Sequence, residues 1–116
     1  MTIGSPNPDS ADLDPVTAHH LVGRGALLVD VREPDEWAAG HAPAAIHVPL
    51  GELDPAALPA GRDIIAVCRS GRRSGRAVDE LRAAGRSARN LAGGMQAWAA
   101  ADLPVRDDQG RPGIVA

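Results

Sequence analysis

Residues 64–78 read Ile64-Ile65-Ala66-Val67-Cys68-Arg69-Ser70-Gly71-Arg72-Arg73-Ser74-Gly75-Arg76-Ala77-Val78, and this stretch decides the fold. Four consecutive apolar residues, Ile64 to Val67, suit a strand buried on both faces. From Ser74, a capping residue type, Ala77, Val78, Leu81 and Ala84 recur at helical spacing until Gly85. The order is strand, short loop, helix, with Cys68 at the C-terminal end of the strand. In open parallel sheets, sites form beyond the C-terminal ends of the strands.

The same alternation extends in both directions. Upstream, Asp14-Pro15 predicts a helix running to about Val22 and ended by Gly23, and Ala26–Asp30 predicts a buried strand. Glu33-Pro34 opens a second helix with Trp37 on its inner face and Gly40 as its stop. Ala45–Val48 is expected as a strand, followed by a turn-rich connection over 49–59 with one helical turn. Downstream, residues 87–91 predict a last strand, and Gly93-Gly94 turns into a helix bearing Met95 and Trp98. These elements predict an α/β domain over 13–105, with a mainly parallel sheet covered by helices on both faces. Residues 1–12 are expected as a flexible leader and 106–116 as an irregular tail.

A chain of 116 residues is one domain by size, so a single core serves every motif. Its 44% hydrophobic content includes no Phe or Tyr, and Trp37 and Trp98 are the only aromatic rings besides histidine. Few rings on which bases could stack, with a net charge of −3, argue against nucleic-acid binding. Nothing approaches the roughly 20 apolar residues of a bilayer span, and no signal peptide is visible. The expectation is a cytoplasmic chain that does not engage membranes.

Charge is unevenly placed. Residues 1–67 hold ten acids against three Arg, a balance of −7, whereas residues 68–116 hold nine Arg against five acids, a balance of +4. Four Arg and no acid lie between Cys68 and Val78. The densest positive charge thus surrounds the only thiol, which points to an anionic substrate or product.

A lone cysteine forms no internal disulfide and is often just a small buried hydrophobe. A core cysteine, however, explains neither the loop nor its charges. A loop curling around Cys68 turns the N–H groups of residues 69–73 inward as an anion-binding nest, and the helix that follows adds the positive end of its dipole. Gly71 relieves the backbone where a positive φ is needed. Such surroundings depress a thiol pKa, so Cys68 is expected as a nucleophilic thiolate at neutral pH. Arg73, closing the loop, is expected to contact substrate. Arg69 and Arg72 either do the same or point to solvent, and Arg76 is a solvated helix residue. Ser70 and Ser74 either donate hydrogen bonds to a bound anion or shape the turn.

Other chemistries lack their residues. There is no Lys for a phosphate-binding Walker loop, no serine elbow, and His19, His20 and His47 make no metal-ligand pattern. Gly23-Arg24-Gly25 precedes its strand instead of following it, so it is a turn and not a dinucleotide fingerprint.

Three stretches resemble the rhodanese family of sulfurtransferases. They are Asp30-Val31-Arg32-Glu33 through Glu36-Trp37 and Gly40-His41-Ala42-Pro43-Ala44-Ala45; the loop Cys68 to Ser74; and Leu91-Ala92-Gly93-Gly94-Met95 with Ala97-Trp98 and Leu103-Pro104-Val105. The resemblance implies a rhodanese-like fold with about five strands and a catalytic Cys68 that carries sulfane sulfur as a persulfide. It also implies that Arg69, Ser70, Gly71, Arg72, Arg73 and Ser74 bind the substrate. The implied partners are a small anionic donor such as thiosulfate or a persulfide, a thiol or cyanide acceptor, and a possible sulfur-relay protein. No metal or organic cofactor is implied, and Asp30, Arg32 and His41 are architectural in the family. Ala42, Ala44, His47, Val67 and Arg86 depart from its usual residues. Two rival readings are a cysteine phosphatase or arsenate reductase and a non-enzymatic persulfide sensor or interaction module. Phosphatases carry Arg at the sixth position after Cys, where this chain has Ser74.

Overall fold

Alternation of side chains along the strands sorts the interior into two halves. Leu27, Val29, Val31, Ile64, Ala66, Cys68 and Ala88 pack in one cluster, whereas Leu28, Ile65, Val67 and Leu91 pack in the other. Such a two-sided sheet leaves its strands with no polar face, and Leu27–Asp30 (β1) and Ile64–Val67 (β3) are buried at every position. A computed structural model describes residues 12–116. The expected leader therefore lies, except for Asp12, outside the described residues.

All pairings in the sheet are parallel. The strand order is β2 (Ile46–His47), β1, β3, β4 (Ala88–Asn90), with β1 and β3 in register from Leu27 opposite Ile64 to Asp30 opposite Val67. About five strands were expected, and among the described residues four form. The fifth is reduced to one parallel bridge between Leu13 and Leu91, because Asp14 immediately caps α1 (Pro15–Gly23) through Thr17. The chain thus leaves the edge after a single rung. β2 is likewise shorter than Ala45–Val48, and two 3-10 turns, Leu50–Glu52 and Pro55–Ala57, replace the single helical turn expected after it.

Helices close both faces. α3 (Arg72–Ala83) lays Ala77, Val78 and Leu81 on the first cluster, while α1 and α4 (Gly94–Ala100) bring Ala18, Met95 and Trp98 to the second. Burying a side chain such as Val78, Leu81 or Met95 contributes about 1.5–3 kcal/mol. α2 (Pro34–Ala39) is different, since none of its residues is buried. Trp37, expected on an inner face, is half-buried between two imidazoles, with ring centroids 3.5 Å from His41 and 4.8 Å from His47. His41 and His47 are pinned in turn by the carbonyls of Trp37 and Arg32.

The tail forms no helix or strand, and it is docked. Arg106 pairs antiparallel with His41, Ile114 N donates to the Ala39 carbonyl, and Gly40 has no room for a Cβ against Ile114.

One buried ion pair ties the end of β1 to the C-terminal end of α2. Arg32 donates from Nε and Nη2 to the Asp30 carboxylate and from Nη2 to the Gly40 carbonyl at 2.7 Å, with both side chains fully buried. Removing one partner of a buried pair leaves a charge without compensation. Asp30→Asn is therefore expected to lower the unfolding free energy by about 3–5 kcal/mol, read as a drop in the urea midpoint.

Candidate active site

β3 carries Cys68 at its exit, where the chain must turn from the sheet into α3. The turn is made by Gly71, at φ +107°, in the left-handed region that glycine tolerates. Gly71 is also the N-cap of α3, so the helix starts at Arg72 and not at Ser74. Arg72, Arg73 and Ser74 consequently belong to its first turn.

Polar groups divide cleanly around the loop. The Gly71 amide donates to the Cys68 sulfur at 3.0 Å, and the Ser74 hydroxyl lies 3.3 Å from the same sulfur. The carbonyls point elsewhere. Met95 N donates to the Cys68 carbonyl at 2.7 Å and Gln96 N to the Arg69 carbonyl at 3.0 Å, both from the first turn of α4. This approach is why the second glycine of Gly93-Gly94 is needed: at φ +60°, a Cβ on Gly94 would overlap both of those carbonyl oxygens.

Cys68 is only 1% exposed, as a core cysteine would be, but its sulfur faces donors as well as carbon. Burial is the largest single influence on the thiol and pushes its pKa up. The Ser74 hydroxyl and the amides of Ser74, Gly71 and Ser70 together outweigh burial and hold it below the ordinary thiol value.

The arginines are placed differently from one another. Arg73 makes a bidentate pair with Glu36 of α2, Nη1 to Oε1 at 2.6 Å and Nη2 to Oε2 at 2.9 Å. Its hydrogen bonds draw the Glu36 carboxyl down to about 2 against the opposing effect of burial. The Arg73 guanidinium is held protonated more firmly than usual, chiefly by Glu36 and also by the charge on Cys68. Arg69 turns away and donates from Nε to the Ala116 carbonyl at 3.0 Å. Arg72 and Arg76 are exposed on α3, and Ser70 is exposed on the loop.

Three residues of the site escaped sequence reading. Glu36 stood in the first stretch of the resemblance with no role attached to it, and its partner lies 37 positions away. Gly94 was read as a turn, with no sign of the carbonyls against it. Asn90, on β4, reaches the loop from another strand: Nδ2 donates to the Gly71 carbonyl at 2.9 Å, and Oδ1 lies 2.6 Å from the Ser74 hydroxyl. Asp30, Arg32 and His41 brace the surrounding backbone, as described above. Among the described residues no group of three or more His, Cys, Asp or Glu is arranged for a metal ion, and no helix is long and apolar enough to cross a membrane.

Comparison with known proteins agrees with this geometry. The family model of the rhodanese-like domain matches residues 14–101. A sulfurtransferase of Allochromatium vinosum is 41% identical over 88 residues, covering 72% of this chain and 81% of that protein. An HTH-type transcriptional regulator of Mycobacterium tuberculosis is 40% identical over 118 residues, which cover 95% of this chain and 49% of the regulator. The chain thus spans about half of that regulator's length, and 64% of a further relative from Synechocystis. Among solved structures, a rhodanese-related protein of Thermoplasma volcanium superposes with a TM-score of 0.76 at 27% identity, covering 81% of this chain and 95% of that one. With a parallel α/β sheet, a cysteine loop of this design and a family match over most of its length, the chain belongs to the rhodanese-like domain family, that of the sulfurtransferases.

Proposed function

We propose that the protein moves sulfane sulfur from a small anionic donor, thiosulfate or a persulfide, to a thiophilic acceptor through a persulfide on Cys68. The observation that carries this reading is the Cys68 sulfur facing the Gly71 amide and the Ser74 hydroxyl at the end of β3. Donors aimed at sulfur stabilise the thiolate and then the persulfide anion. With thiosulfate, the thiolate attacks the outer sulfur, a new S–S bond forms, and the old S–S bond breaks with its electron pair leaving on sulfite. Cyanide or a thiolate then takes the outer sulfur and returns Cys68 to its thiolate.

In this reading Ser70, Gly71 and Ser74 hold charge at the sulfur. Arg72 and Arg69 add positive potential at the rim, and Arg73 meets the donor while tethered to Glu36. Glu36 thus moderates the attraction that the four nearby arginines would otherwise exert.

A second reading has one specific support, the 40% identity to a transcriptional regulator over almost the whole of this chain. Here the domain would be a module whose persulfide, or whose fold, is read by a partner.

Incubation with thiosulfate followed by intact-mass measurement separates the two readings. The enzyme reading expects a gain of one sulfur atom that cyanide removes and that is absent in Cys68→Ala. No gain favours the module. Because hydrogen bonds depress the thiol pKa, the thiolate persists to lower pH than in free cysteine. The rate of alkylation by iodoacetamide is expected to rise with pH about a midpoint below the roughly 8.5 of an unperturbed thiol. Releasing Arg73 by Glu36→Gln is expected to lower the KM for thiosulfate roughly threefold with little change in kcat, since the effect is attraction and not chemistry. Steady-state kinetics at low ionic strength measures it.

A further inference from the structure

The Ser74 hydroxyl has one hydrogen and two claimants. Its oxygen lies 2.6 Å from Asn90 Oδ1 and 3.3 Å from the Cys68 sulfur. The Asn90 amide cannot be turned around to relieve this, because its Nδ2 is 2.9 Å from the Gly71 carbonyl, a group that only accepts. Oδ1 therefore faces Ser74 as an acceptor. Ser74 is fully buried and Asn90 only 9% exposed, so bulk water is poorly placed to take either role.

We propose that Asn90 is a positioning residue that competes with the Cys68 sulfur for the single hydrogen of the Ser74 hydroxyl. With Cys68 as a thiol, every group is satisfied: S–H donates to Ser74 Oγ, Ser74 donates to Asn90, and Asn90 donates to Gly71. With Cys68 as a thiolate, the hydroxyl hydrogen turns to the sulfur and Asn90 Oδ1 loses its donor in a buried site. That loss opposes ionisation. Asn90 therefore holds the sulfur more basic than the loop alone would leave it. A more basic thiolate is a stronger nucleophile, provided enough of it is ionised, so the best attacking thiol has a pKa near ambient pH.

The other half of the Asn90 amide is partly redundant. The Gly71 carbonyl also accepts from Gly75 N at 3.2 Å as α3 begins, so the turn keeps an anchor without Asn90. Arg73 of α3 feels the charge on Cys68 and is itself acted on by Glu36 and Glu33, while Arg69 and Arg72 of the loop and first turn are exposed; none of them hydrogen-bonds to Asn90.

The inference rests on Cys68 acting as a thiolate, but its test needs no sulfur transfer. The pH profile of iodoacetamide alkylation is measured for the full chain as wild type, Asn90→Ala, Ser74→Ala and the double variant, with circular dichroism as the check on folding. Freed from Asn90, the hydroxyl serves the sulfur alone, so Asn90→Ala is expected to lower the midpoint by about one unit. In the Ser74→Ala background the same substitution is expected to change nothing. An unchanged or raised midpoint in Asn90→Ala overturns the proposal, and so does a shift that persists without Ser74, which would trace to Gly71 instead. If Asn90→Ala fails to fold, Asn90→Asp decides, being the same size with a stronger acceptor facing Ser74. It must raise the midpoint more with Ser74 present than in Ser74→Ala, and equal shifts overturn the proposal. A wild type that takes no sulfur from thiosulfate while the alkylation cycle holds would instead count against the sulfurtransferase reading alone.

Discussion

The Cys68 sulfur faces amide hydrogens while the carbonyls of Cys68, Arg69 and Gly71 have partners elsewhere. A tight turn presents as many carbonyls as amides, and any carbonyl left near the sulfur would repel a thiolate. Here the first turn of α4 takes the carbonyls of Cys68 and Arg69, while Gly75 and Asn90 take that of Gly71. Everything else in the site depends on this sorting. It needs α4 seated against the end of β3 without a side chain between them, which Gly94 allows and any other residue would prevent. It also needs β4 beside β3, since that pairing brings Asn90 to the loop and leads the chain into Gly93-Gly94.

Burial and a depressed thiol pKa are therefore compatible at Cys68. A thiol in an apolar cluster is inert because nothing compensates the lost hydration of its charged form. Cys68 packs in such a cluster on its strand side while fixed dipoles face its sulfur from the loop. Those dipoles are already oriented, so stabilising charge there requires no reorganisation when the charge appears.

Much of this architecture was legible in the sequence, and the parts that were not share a cause. The runs Leu27–Asp30 and Ile64–Val67, buried on both sides, could be read as strands because nothing polar interrupts their apolar residues before Asp30. Gly71, the Cys68 loop and the helix after it follow from local chemistry. Local signals failed where two candidates competed or where a partner came from afar. Ser74 is a good capping type, yet the helix begins earlier because Gly71 can take a left-handed φ. Leu13 pairs with Leu91 but Asp14 turns the chain into α1 at once, so among the described residues the pairing does not lengthen beyond Leu13. Trp37 has helical spacing toward an interior, but its stacking on His41 and His47 satisfies it at the surface. Glu36 with Arg73, and Asn90 with Ser74, are contacts between elements that only the fold brings together.

The arginines show how far this reverses the impression that charge counting leaves. Four guanidiniums within eleven residues of the only thiol suggest a site built from side-chain charge. In the folded chain Arg73 is held by a carboxylate, Arg69 is turned to Ala116, and Arg72 and Arg76 stand in solvent, where ions screen them. The field at the sulfur comes mainly from groups with no formal charge, the amides of the loop and one serine hydroxyl. Such groups are held in place by backbone geometry, so tolerance to substitution should run opposite to charge. The exposed arginines can be exchanged with modest consequence, whereas Gly71, Gly94, Ser74 and Asn90, each small and uncharged, fix where every donor points.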